Sequence, residues 1–488
     1  MRRRTAVLLA AVLVSTVPSR AEEEVRWLAR EPAGILPLEE ESALVVRGVT
    51  GLLEIRTGSA GEIRWACAPT RGSGETPLAV GGTERELVVT APPGDTAARR
   101  LVVTVPARVA VRIEADASEV VGSNIESPLT VVGRDLSARF LTPSGSVDLE
   151  LTGGSAIVER ARGRTAIRGK PEKVAVVNPA GPVSLTVQAG TIEIEGAKYG
   201  FDADIQGTKL KVEGAAPAFH VRARQAEVVV KDLQGGGDFD MSGSPLRLLA
   251  ASGQVTVNTD ALVEFKDCTA DLHVHGIAAP VRGSDHHGLV EIETDSSEVL
   301  LSKIDGPLRV RGNSLQLRLE QTAETGLITS GSTIDATNVG GALSIENDLG
   351  PVTVRGATAK VEVKNRGGDV TLQGLSAPAI VETSSDTLTV GFASLPMDAD
   401  TESVLINDDG VVRVELPPGG QVEVDAQSRY GRIESSLDWV RVSDDGRSAK
   451  GLRGRQKVPR LRIVGEGGVV LGGPGAAEAV EQDGGGEP

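Results

Sequence analysis

The sequence predicts an all-β fold, a parallel β-helix, on three observations. Short segments that alternate apolar and polar residues recur about every nine residues. Turn-type residues recur at steps of 18. No part of the repeat sustains a helical period. The stretch "ALSIENDLGPVTVRGATAKVEVKNRGGDVTLQG" shows the beat most clearly. Leu343-x-Ile345, Val352-x-Val354, Val361-x-Val363 and Val370-x-Leu372 each read as a strand with one buried face. Asn347, Gly356, Asn365 and Gly374 follow them as turn residues.

The chain opens with Arg2, Arg3 and Arg4, an apolar run from Ala6 to Val14, and the small residues of Ser19-Arg20-Ala21. This is the pattern of a cleaved secretory signal over 1–21, and its apolar run is too short to span a bilayer. No later run is long and apolar enough for a transmembrane segment, so the expectation after cleavage is an exported protein, periplasmic or extracellular and at the cell surface. Residues 22–115 read as an N-terminal β region and cap.

From 116 to 395 the repeat dominates, with roughly thirty segments such as "TIEIEG", "KLKVEG", "DLHVHG" and "PLRVRG". An ordinary sandwich or barrel does not absorb so many regular strands, whereas a coil stacked on itself does. Asn178, Gly196, Gly214 and Asp232 fall at successive steps of 18, and all are residues that tolerate positive φ at a corner. Two strands per coil of about 18 residues is therefore favoured over three per coil of about 27. The registers break between Asp232 and Gly276 and between Gly312 and Asn347, where loops or bulges are expected. Crossovers of one sense predict a right-handed winding.

Residues 396–472 read as a C-terminal β region and cap. Trp27, Trp65 and Trp439, with Tyr430, lie outside the repeat and are expected to pack in the caps that cover open strand edges. The Gly-rich, acidic tail 473–488 predicts disorder. Cys67 and Cys268 are separated by some eleven coils, or about 50 Å at the spacing of adjacent strands, which predicts two thiols and no disulfide.

Composition narrows the function classes. The net charge is −16, and loss of the four signal-segment arginines makes the exported chain still more acidic, with no basic stripe for nucleic acid. Aromatics are 2 %, which leaves few stacking platforms for sugars and few aromatic anchors for a protein partner. No CxxC, HExxH, GxSxG or Walker-type loop occurs.

Four of the five histidines crowd into "CTADLHVHGIAAPVRGSDHHG". Alternation sends Leu272 and Val274 inward and His273 and His275 outward on one face. Histidines two apart on a strand suit a shared metal ion, completed by Asp285, His286 or His287. The same residues also have a purely structural reading. With an 18-residue coil, His273 and His275 stack on Glu291 and Glu293, and these on Arg309 and Arg311. Glu346 then sits beside Lys364 and Glu193 beside Lys211, so that opposite charges fix the stacking register. Asp202-x-Asp204 and "NDDG" at 407–410 read as exposed acid groups, and the repeated GGxGxD of a calcium-lined roll is missing.

The chain resembles a bacterial adhesin-like family of exported parallel β-helix proteins whose common domain has no assigned function. The likeness rests on "LVVRGVTGLLEIRTGSAGEIRWACAP" (44–69), on the G-x-V-x-V repeat, and on "VEVDAQSRYGRIESSL" (422–437) with "PRLRIVGEGGVVLG" (459–472). "GEGGVVL" departs from that family's usual closing pattern. The resemblance implies a capped β-helix and an adhesin-like or scaffold role, with no catalytic residues and no cofactor to carry over. The expectation is thus a non-enzymatic cell-envelope protein binding an envelope polysaccharide or protein along one face, with self-association open. A polysaccharide-active β-helix enzyme and a metal-binding protein centred on His273 and His275 are the alternatives.

Overall fold

The computed structural model describes residues 26–37, 42–58, 61–70, 77–83, 86–92, 97–395, 400–454 and 457–474. The segment 1–21 read as a secretory signal, and the tail from 475 onward, lie outside these. The described residues form 48 strands in two sheets of 25 and 23. From Ala110 to Glu415 the strands alternate strictly between the sheets, so that two strands complete one coil. The histidine strand Asp271–Gly276 belongs to the larger sheet, called here the H sheet, and the other is the G sheet.

Register follows the 18-residue step. Val352 lies beside Val370 and Val370 beside Leu388, and Leu343 beside Val361. The alternation buries one side of each strand, so these columns face inward and are fully or almost fully buried. A core only two strands thick has room for one layer from each sheet, and Val, Leu, Ile and Ala fill it. Aromatic rings are concentrated in one inward ladder, where Phe201 stacks on Phe219 with centroids 4.8 Å apart and Phe219 tilts against Phe239 at 5.6 Å.

One corner is set by a left-handed residue in every coil. Asn178, Gly196, Gly214 and Asp232 have φ of 50°, 70°, 71° and 54°, as the sequence spacing predicts. The row continues through Ala250, Asp267, Asp285, Lys303, Gln321 and Asn338 to Gly356 and Gly374. This overturns the expectation of loops at the register breaks. The coil simply loses one residue twice, where Leu246 pairs with Val263 and where Gln316 pairs with Thr333. Both residues are lost in turns, the first at the opposite corner between Thr259 and Val263 and the second between Thr322 and Thr325, so neither strand ladder is interrupted.

Asn347 and Asn365 are a second correction. Neither has positive φ, and both are buried rather than exposed at a corner. They belong to an inward polar ladder that runs from Thr329 through Asn347 and Asn365 to Thr383 and Asn407.

Both ends are capped, and both are interleaved. At the start, the coil Ala43–Gly58 lies between the later coil Glu86–Pro106 and the coil that begins at Ala110. Antiparallel strands 26–37, 62–69 and 78–82 cover the outer side. At the other end, Arg460–Gly465 sits between Glu402–Asn407 and Val422–Ser428, parallel to both. The hairpin strands Ser448–Arg453 and Val440–Val442 close that edge of the H sheet.

Trp65 is buried in the first cap, and its indole N–H donates to the Glu31 carbonyl at 3.5 Å. Trp439 packs against the core beneath the Arg453 guanidinium, 5.0 Å from the ring centroid. The side chain of Trp27 lies outside the described residues. Tyr430 lies at the C-terminal cap but does not pack inside it. It is largely exposed, with Arg429 over its ring at 5.1 Å. Cys67 and Cys268 form no disulfide.

Candidate functional site

The outer surface of the H sheet carries a long run of charged and polar side chains. Successive coils present Asp202/Asp204, His220/Arg222, Asp238/Asp240, Thr256/Asn258, His273/His275, Glu291/Glu293 and Arg309/Arg311, in register. The stacking expected from the 18-residue coil is therefore present. His273 Nδ1 lies 3.1 Å from Glu291, His275 Nδ1 3.2 Å from Glu293, and Arg311 3.5 Å from the same Glu293. His220 meets Asp238 at 3.1 Å in the same way. In the turn that follows the G-sheet strand Val281–His286, His287 meets Asp305 at 2.9 Å. Each of these histidines has its carboxylate 18 residues onward, because the flat sheet brings equivalent positions within about 4.8 Å on the next coil.

The five residues proposed as metal ligands do not converge. His273 and His275 lie on the H sheet, each occupied with its own glutamate. Asp285, His286 and His287 lie on or just after a strand of the G sheet. Asp285 is the left-handed corner residue, and Ser284 and Lys303 beside it hold its carboxyl below the usual carboxylate range. His286 points inward and is completely buried. Among the described residues no group of three or more His, Cys, Asp or Glu side chains is placed to hold a metal ion.

Glu346 and Lys364, like Glu193 and Lys211, occupy adjacent positions on successive coils as the register requires. Asn407 of the "NDDG" stretch is buried in the polar ladder. Its side-chain amide donates to the Ser385 carbonyl at 3.0 Å, so it is unavailable as a surface ligand.

The G sheet offers a different surface, which the sequence did not single out. Two shallow open concavities adjoin on its outer face and share Leu300. They run over the coils from Arg247 to Thr333. Leu249 and Leu300 supply the apolar floor, and Lys266, Arg282 and Arg318 rise beside it with Glu264, Glu298 and Glu320. Arg282 is tied to Glu298 at 3.2 Å. Gly283 faces inward beneath this floor, where a Cβ would lie 2.0 Å from the buried Phe265 ring, so only glycine leaves room for it. The signal for this groove was available in the sequence as leucines at outward positions, but outward leucines are common and carry little weight alone.

No family model matches the chain, and neither a curated protein nor a solved structure matches it. Among the described residues no helix is long and apolar enough to cross a membrane.

Proposed function

We propose that the protein is an exported, non-catalytic cell-envelope protein, adhesin-like or scaffold in role, that binds an elongated envelope polysaccharide or protein along the solenoid. The observation that carries this reading is the groove on the G sheet from Arg247 to Thr333, open along the axis and lined by both leucines and charged side chains. An elongated polymer gains contacts from every coil it crosses, and a rigid sheet needs no ordering on binding. The resemblance to the adhesin-like family and the leader-like opening of the sequence support the envelope setting.

The test is co-sedimentation of residues 22–488 with an envelope fraction, scored at the same time for soluble sugar fragments. Binding without fragments, reduced by Leu300→Glu with Arg318→Glu and not by Arg309→Glu with Arg311→Glu, is the expected result. Release of fragments would replace the scaffold reading by a polysaccharide-active enzyme. Unchanged binding in the Leu300/Arg318 variant would move the site off the G sheet.

A further inference from the structure

The residue after each left-handed corner always turns inward, and this column explains why His286 stands apart. Its members include Ala215, Leu233, Ala251, Cys268, Ile304 and Val339, all buried. His286 occupies the same position, between Cys268 on one coil and Ile304 on the next. It is 0 % exposed, and neither ring nitrogen makes a hydrogen bond of good geometry, although the Leu289 and Ala270 carbonyls lie close enough to favour the charged form. The Phe265 ring meets it edge-on at 5.3 Å. A neutral imidazole is tolerated there, but a charged one has no counter-ion within the core.

We propose that acid opens the solenoid at His286, where protonation of the buried imidazole unseats the strand Val281–His286 from its neighbours Val263–Cys268 and Glu298–Ile304. The surrounding side chains give the charge no internal counter-ion. Asp285 and Lys303 pair with each other at the corner, and His287 pairs with Asp305 outside. Asp271 accepts the Leu289 N–H at 3.2 Å. Asp267 is exposed on the preceding coil, and Cys268 donates to the Lys266 carbonyl at 3.2 Å. Burial pushes the His286 imidazole below its ordinary 6.5, with the carbonyls of Leu289 and Ala270 acting weakly the other way. The sign follows from linkage. A base with a depressed folded pKa leaves stability intact above the unfolded pKa and removes it as pH falls below that value.

Acid thus releases the G-sheet side of these coils. This device does not depend on what either face binds.

Cys268, buried one coil from His286, is a built-in reporter. The full chain carrying Cys67→Ala is treated with 4,4′-dithiodipyridine at pH 7.5 and 5.0, and each rate is divided by that of glutathione at the same pH. Between the ordinary pKa of the opened imidazole and its lower folded value the open fraction grows about tenfold per pH unit, so the normalised rate is expected to rise by roughly tenfold or more. The added substitution His286→Leu, or His286→Met as a second apolar replacement, is expected to abolish the rise. An equal normalised rate at both pH values in the parent overturns the proposal. So does a rise that persists in either folded His286 variant.

Discussion

The side-chain amide of Asn347 donates to Oδ1 of Asn365 at 3.2 Å, from one coil to the next and inside the stack. Thr329 donates its hydroxyl to Oδ1 of Asn347 at 2.9 Å on the other side. Asn365 closes the corner by donating to the Gly367 and Gly368 carbonyls at 3.0 and 2.9 Å. The ladder therefore satisfies turn carbonyls that the sheets leave unpaired, and does so only in one register. Asn347→Ala strands the Thr329 hydroxyl and leaves the Asn365 carbonyl oxygen without its donor. The expected loss is about 1–3 kcal/mol, read as a lower urea midpoint. An unchanged midpoint would mean that water replaces the amide.

Glycines at two corners should respond differently to a side chain. Gly190 has φ of 93°, and a Cβ there would lie 2.1 Å from the Pro171 carbonyl oxygen. Gly207 has φ of 60° with nothing within 4 Å. Gly190→Ala is expected to cost several kcal/mol, above the roughly 1–2 kcal/mol of a left-handed residue alone. Gly207→Asn should be nearly neutral, because Asn tolerates αL. Equal thermal shifts in the two variants would contradict this.

Acid sensitivity near the first coils should trace to Asp116. Hydrogen bonds from the Arg134 side chain and backbone hold its carboxyl below the ordinary 3.8. A depressed acid contributes stability above its unfolded pKa and loses it as pH falls through the folded one. In Arg134→Gln the carboxyl should titrate at higher pH. Carbon-detected NMR of the Asp116 carboxyl measures this directly, and an unmoved titration would assign the effect to the backbone donor alone.

Zinc should not be taken up by the histidine strand. His273 and His275 are each directed to a separate glutamate, and the other three candidate ligands lie on or beside the other sheet. Isothermal titration with zinc is expected to give no heat that distinguishes the parent from His273→Ala/His275→Ala. Stoichiometric heat lost in the double variant would restore a metal site on this face.

The coil itself was legible because its signal is local. Alternation and corner residues such as Asn178 and Gly196 are written in every repeat, and the rows His273–Glu291–Arg309 follow once the step is known. What misled was residue type without context. Asn347 looks like a corner residue, yet an asparagine also serves inward where several carbonyls converge. His286 looked like a candidate ligand because it lies in the histidine-rich stretch beside Asp285 and His287. The left-handed Asp285 shifts the phase and turns the next side chain inward. The interleaving of the ends was not legible, since it depends on which distant strand lies beside which. Nothing in "LRIVG" distinguishes an outer coil from an inner one.

That interleaving alters how the molecule bears tension. The coil reached last by the chain, from Arg460 to Gly472, is held by parallel ladders on both sides. A pull on the C-terminus therefore cannot peel a single outer ladder bond by bond. It must shear two at once and draw a wedged rung from between its neighbours. The end of the rod grips the strand that leaves it.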